Sequence, residues 1–176
     1  MFGLDALAGI RRDFMPRAPA GARGGAHPPR SDERTGGRTP IAVLLIDDRA
    51  LFGESLAAAI NAFAPDVAVS HQRSSTALAD LPAALRGADV VLVSIGRADP
   101  AKGGIGQLLD ALSGGPPHPP VAVLADRPGV AVAAAATRLG LRGVLSGRMP
   151  LAEVIAALRL IHKGGTVSPD PGSDSR

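Results

Sequence analysis

Cysteine, tryptophan and tyrosine are all absent from this 176-residue sequence. Without cysteine there is no disulfide, no zinc–thiolate centre and no thiol nucleophile, and the composition fits a reducing, cytoplasmic compartment. No apolar run approaches the roughly 20 residues that a membrane-spanning helix needs. The N-terminus lacks the basic-then-apolar order of a secretory signal, and no internal repeat is visible. An excess of charge is also missing from most of the chain. Residues 1–40 carry seven arginines against four acids, whereas residues 41–169 carry eleven basic and ten acidic side chains. The formal net charge of +3 therefore belongs mainly to a tail, which is weak support for nucleic-acid binding.

The chain divides into three parts. Residues 15–40 are rich in Pro, Gly and Arg and hold almost no large apolar side chain. Such a segment cannot bury enough surface to offset its ordering entropy, so a disordered basic tail is predicted over 1–40. Within it Leu4, Leu7, Ile10 and Phe14 form one apolar stripe, predicting a short helix over 3–14. That helix is marginal alone and would form only against a partner groove, a surface or its own domain. Residues 170–176 are a short polar end, also predicted disordered. Between them, 41–169 is one domain, long enough to bury a core.

Inside that domain β and α patterns alternate. Apolar runs at 41–47, 67–71, 89–95, 120–125 and 142–146 read as strands, several apolar throughout, as strands covered on both faces must be. Helical spacing runs over 50–63, where Leu51, Phe52, Leu56, Ile60 and Phe63 recur at intervals of three and four, and over 74–87, 104–115, 128–140 and 150–165. Pro82 must kink or split the second of these helices. Five strands alternating with five helices predict an α/β fold, a three-layer sandwich around a parallel sheet.

In such folds the chemistry sits at the carboxyl ends of the strands. The first strand delivers Asp47 and Asp48 there, and the third delivers Ser94. Each has a plain structural reading. The two aspartates can cap and solvate a strand end, and Ser94 can satisfy backbone groups. A serine nucleophile would need a neighbouring base, and none of the four histidines (His27, His71, His118, His162) is placed beside it by the sequence. The glycines of GGIG, 103–106, fall too late for a dinucleotide fingerprint, which belongs directly after the first strand.

VLLIDDRALFGESLAAAI resembles the opening of a response-regulator receiver domain of the NarL/LuxR family. DVVLVSIGRADPAKGGIGQLLDAL is similar to that family's third strand, active-site loop and following helix, and LGLRGVLSGRMPLAEVIAALRLIHKGGTVSP to its fifth strand, last helix and linker. The resemblance covers 41–169 and implies a CheY-like, flavodoxin-like sheet of order 2-1-3-4-5. It also implies roles, most of which this sequence has lost. The family's Mg²⁺-holding acidic pair falls on Asp47 and Asp48, the phosphoacceptor aspartate on Ser94, the phosphoryl-gripping Thr or Ser on Ala125, and the lysine on Gly147, with Arg148 one position late. Aspartyl-phosphate chemistry needs a carboxylate nucleophile, a metal and a cation on the developing charge. The expectation is therefore a degenerate receiver, a phosphorylation-independent signalling module that is not an enzyme, needs no cofactor and keeps at most a residual Mg²⁺ site at Asp47 and Asp48. The alternative is a small-ligand or Mg²⁺-dependent domain using the same crevice. The charge-poor fourth and fifth helices, 128–140 and 150–165, imply a homodimer or a protein partner. Direct DNA binding is not expected, because only seven residues follow TVSP where the family places a helix-turn-helix domain. Ser94→Asp is expected to add a third repelling carboxylate and to be rescued by Mg²⁺.

Overall fold

The computed structural model describes residues 39–113 and 118–168. The expected segment 3–14, the tail up to residue 38 and the polar end 170–176 lie outside the described residues. Five parallel strands form one sheet in the order β2-β1-β3-β4-β5, as the alternation and the resemblance imply: β1 Ile41–Ile46, β2 Val67–Gln72, β3 Val90–Gly96, β4 Val121–Ala125 and β5 Gly143–Ser146. Six helices connect and cover them: α1 Ala50–Phe63, α2 Ser74–Ala79, α3 Leu81–Leu85, α4 Gly103–Ser113, α5 Val130–Arg138 and α6 Leu151–His162.

The extra helix is the split expected at Pro82. A proline ring cannot follow a preceding helical turn but suits the first turn of a new one. Here Asp80 ends α2 and caps α3, its Oδ1 accepting the Ala83 N–H at 3.1 Å, with Pro82 in the first turn.

Strand alternation sorts the core into two layers. Val43, Leu45, Val90, Leu92, Ala122 and Leu124 pack under Ile60 of α1 and Val154, Leu158 and Ile161 of α6. The intervening Leu44, Ile46, Val91, Val93, Val121 and Val123 pack against α2 to α5 through Ala77, Leu108, Leu109 and Val132. Every residue of the central strand β3 is buried. This is why the strands read as unbroken apolar runs rather than alternating ones.

Both sheet edges have cover. On β2, Asn61 of α1 donates to the Val69 carbonyl at 3.0 Å and accepts the Val69 N–H at 2.7 Å. On β5, the chain after α6 returns, and Val167 exchanges backbone hydrogen bonds with Val144 and Arg142. Unpaired strand edges otherwise invite association with other chains.

Helix α1 lies close to β2 because residue 53 has no side chain. A Cβ on Gly53 would overlap the His71 ring, whose Nε2 lies 2.9 Å from the Asp47 carbonyl oxygen. Gly53→Ala is expected to destabilise by about 1–3 kcal/mol, the usual cost of overpacking. Urea unfolding checks this, and a His71→Ala background should recover most of the loss if the clash is the cause.

Candidate functional site

Strand register brings the site together. Leu45 pairs with Leu92 and Ile46 with Val93, so Asp47 and Ser94 follow side by side at the sheet's carboxyl end. Both continue the row that faces α1 and α6. Asp126 extends the same alternation past Leu124, whereas Ala125 belongs to the opposite row. Asp47 and Ser94 are only 2% and 3% exposed.

A carboxylate so buried needs a partner, and the neighbouring residue supplies it. Arg49 turns back over the sheet end. Its Nε and Nη2 donate to the two Asp47 oxygens at 3.2 and 3.0 Å, and its backbone N–H donates to Oδ1 at 2.7 Å. Nη2 also donates to Ser94 Oγ at 2.9 Å, and Nη1 to Asp126 Oδ1 at 3.3 Å. The guanidinium stacks 4.2 Å from the Phe52 ring centroid, a cation–π distance. The Asp47 hydrogen bond, joined by the attraction of Asp47 and Asp126, raises the Arg49 pKa above its ordinary value against the opposing effect of burial. The cation is therefore held throughout the neutral range.

The backbone makes room for it. Gly96 adopts φ +56, and a Cβ there would stand 3.3 Å from Arg49 Cζ. Glycine thus satisfies both the left-handed conformation and the space taken by the guanidinium. The β3–β4 register shifts between Ser94 and Gly96, a bulge of the kind found where a sheet re-aims its end.

Asp48 points elsewhere. Its Oδ1 accepts the Ser74 backbone N–H at 2.8 Å, and both oxygens lie 2.7 Å from Ser74 Oγ. It thereby caps the N-terminus of α2, where unpaired N–H groups and the helix dipole favour an anion. The expectation that both aspartates cap and solvate the strand end is corrected: Asp48 instead holds Ser74 at the start of α2, and Asp47 is buried under Arg49. Ser94, expected to serve backbone groups, instead holds a guanidinium.

The residues present do not fit a bound Mg²⁺. A hard divalent cation wants several free oxygen ligands. Here Asp47 is engaged by Arg49, Asp48 by Ser74, and the third position is a hydroxyl already bonded to Arg49. Among the described residues no three His, Cys, Asp or Glu side chains are grouped to hold a metal. Ala125 is buried without a hydroxyl, and the residue at 147 is an exposed glycine whose N–H is bonded to the Ala125 carbonyl at 2.7 Å. Sequence reasoning found Asp47, Asp48, Ser94, Ala125 and Gly147 but missed Arg49, Asp126 and Ser74. The signal for Arg49 was its position directly after the acidic pair.

No family model and no curated protein matches the chain. Solved structures do. A LuxR-family DNA-binding response regulator from Silicibacter pomeroyi matches with TM-score 0.59 and 23% identity, over 73% of this chain and 96% of the other. The non-phosphorylated receiver domain of the stress response regulator RcsB from Escherichia coli matches with TM-score 0.61 and 21% identity, over 75% of this chain and 100% of the other. A structure of two RcsB dimers bound to two parallel DNAs matches with TM-score 0.60 and 21% identity, over 75% of this chain and 65% of the other. The chain has the receiver-domain fold, CheY-like in strand order.

Proposed function

We propose that this chain is a phosphorylation-independent signalling module, a receiver scaffold that acts through protein–protein contact in the cytoplasm and catalyses no reaction. The observation that carries this reading is Arg49. Its half-exposed guanidinium lies among Asp47, Ser94 and Asp126, where phosphoryl chemistry would require a metal ion and a carboxylate nucleophile. A permanently placed guanidinium makes the sheet end a fixed structural element rather than a switch. The likeness to receiver domains supports a regulatory role, and the near-neutral charge of 41–169 gives no support for direct DNA contact. Among the described residues no helix is long and apolar enough to cross a membrane.

Incubation with acetyl phosphate and Mg²⁺, followed by intact-mass measurement, tests the loss of phosphoryl chemistry. No adduct is expected. A stoichiometric phosphoryl adduct on the wild-type chain would overturn the reading.

For the contact surface, α5 and α6 remain the favoured region. They pack on opposite faces of the sheet and flank β5. Val130 at the start of α5 is 88% exposed and Leu160 on α6 is 47% exposed, and Ala152, Ala156 and Leu160 form an uncharged outward row. Sedimentation is expected to show a homodimer or a stable heteromer that Leu160→Glu weakens. A monomer at high concentration that captures no partner would count against this surface.

A further inference from the structure

We propose that a groove over the amino halves of β1 and β2 binds a small organic acid with an apolar body, of the size of a medium-chain fatty acid. A cavity of about 430 Å³ opens there, within the roughly 300–1,000 Å³ usual for small-molecule sites. It lies away from the carboxyl end of the sheet that holds Asp47 and Ser94. Strand register makes its floor. Ala42 pairs with Ala68 and Leu44 with Ser70, and by strand alternation all four side chains belong to the face that carries α2 to α5. On β3 and β4 every residue is buried. Over β2 the cover fails. The chain between β2 and β3 forms two short helices whose buried residues are Ser74, Ala77 and Leu85, and Ala68 and Ser70 stay exposed. Three of the four floor residues are Ala or Ser, so the uncovered strip is a hollow. Ala84 and the turn after α3, with Arg86, form a wall.

The polar groups define the class of ligand. Arg86 is the only ionisable side chain in the lining. It is exposed, and among the described residues its guanidinium has no hydrogen-bond or ion-pair partner. Asp89, close in sequence, lies outside the lining, and its Oδ2 accepts the Ala42 N–H at 2.9 Å. The Ser70 hydroxyl likewise has no partner among the described residues. Asn61 Nδ2 donates one N–H to the Val69 carbonyl at 3.0 Å and has a second to offer. The groove therefore presents hydrogen-bond donors and one cation over an aliphatic floor. A carboxylate suits the guanidinium fork, which donates two parallel hydrogen bonds to its two oxygens. An amine would meet a like charge. A body rich in hydroxyls would lose hydration against alanine and leucine without new partners, whereas an alkyl or aryl body gains by leaving water.

This inference goes beyond the interaction-module reading and does not rest on it. Phosphoryl transfer to the wild type would sink that reading alone, and absence of acid binding would sink this one alone. The test is an amide-resolved NMR titration of the full chain with octanoate, octylamine and 1-octanol. Octanoate is expected to give saturable shifts centred on residues 42–44, 68–70 and 84–88, and to bind at least about tenfold more tightly than the other two, as charge-assisted hydrogen bonds imply. Arg86→Gln should weaken octanoate about tenfold for the same reason and leave 1-octanol unchanged. Ala68→Leu fills the floor and should abolish binding. Both positions are exposed, so the folds should hold, and Arg86→Gln, which removes no contact among the described residues, keeps the test valid if Ala68→Leu does not fold. No saturable shift with octanoate would overturn the proposal. So would equal binding of octylamine or 1-octanol, or octanoate binding that Arg86→Gln or a folded Ala68→Leu leaves intact. A short peptide ending in a free leucine carboxylate that binds more tightly than octanoate would overturn the small-molecule assignment in favour of a chain terminus.

Discussion

Arg49→Ala is expected to lower stability by about 2–4 kcal/mol and to make that stability depend on Mg²⁺, a dependence not expected of the wild type. The Asp47 side chain is 1% exposed, and removing one partner of a buried pair typically costs about 3–5 kcal/mol, because the remaining charge is left without compensation. Two features reduce the cost here. The Arg49 side chain is itself 43% exposed, so water can enter the space it leaves. Asp47 also keeps the backbone N–H of residue 49, which any residue except proline supplies. The vacated volume would then be bordered by Asp47, Asp126 and the Ser94 hydroxyl, a set of oxygens that a divalent cation can use. Arg49→Lys should fall between the two, since an ammonium restores the charge but not the fork that reaches Asp47, Ser94 and Asp126 together. Urea unfolding with and without millimolar Mg²⁺ measures both effects. A fully stable Arg49→Ala protein that ignores Mg²⁺ would show that Arg49 does not hold this pocket.

The second large effect concerns Ser94→Asp, and here the structure changes the expectation. From the sequence, a carboxylate at 94 joins Asp47 and Asp48, the charges repel, and Mg²⁺ rescues the loss. In the folded chain Ser94 Oγ lies 2.9 Å from Arg49 Nη2 and Asp48 is turned away to α2. The new carboxylate therefore meets a cation already in place. Ser94→Asp alone should change stability by no more than about 1 kcal/mol and should gain little from Mg²⁺, because the metal would have to displace Arg49. Combining it with Arg49→Ala removes the cation from a pocket holding two buried carboxylates. That double variant should be the least stable of the set and the most strongly rescued by Mg²⁺. Neither variant should accept phosphate at a useful rate. Each missing electrostatic contact costs about a hundred- to a thousandfold, and the groups absent at Ala125 and Gly147 are still missing. Melting curves of the four proteins, with and without Mg²⁺, decide the matter. A large Mg²⁺ response in Ser94→Asp alone would contradict the locking role of Arg49.

The sequence by itself determined the alternation of strands and helices, the break at Pro82 and the helix span 50–63, because all three rest on local periods or on the chemistry of one residue. It also determined the absences. Ala125 has no hydroxyl and Gly147 no ammonium in any fold, so the loss of those groups is legible without coordinates. The placement of Asp47 and Ser94 at the sheet's carboxyl end followed from their places after apolar runs, whereas the burial of Asp47 did not. Nor did their partners. Arg49 joins Ser94 across 45 residues and Asp126 across 77, and Asp48 reaches Ser74 across 26. Which charges meet over such separations depends on strand order, on register and on the side of the sheet to which each row points. The groove over β1 and β2 depends on the same things, since Leu44, Ser70 and Arg86 are far apart along the chain and become neighbours only because β1 and β2 pair in register and the turn after α3 lies beside them.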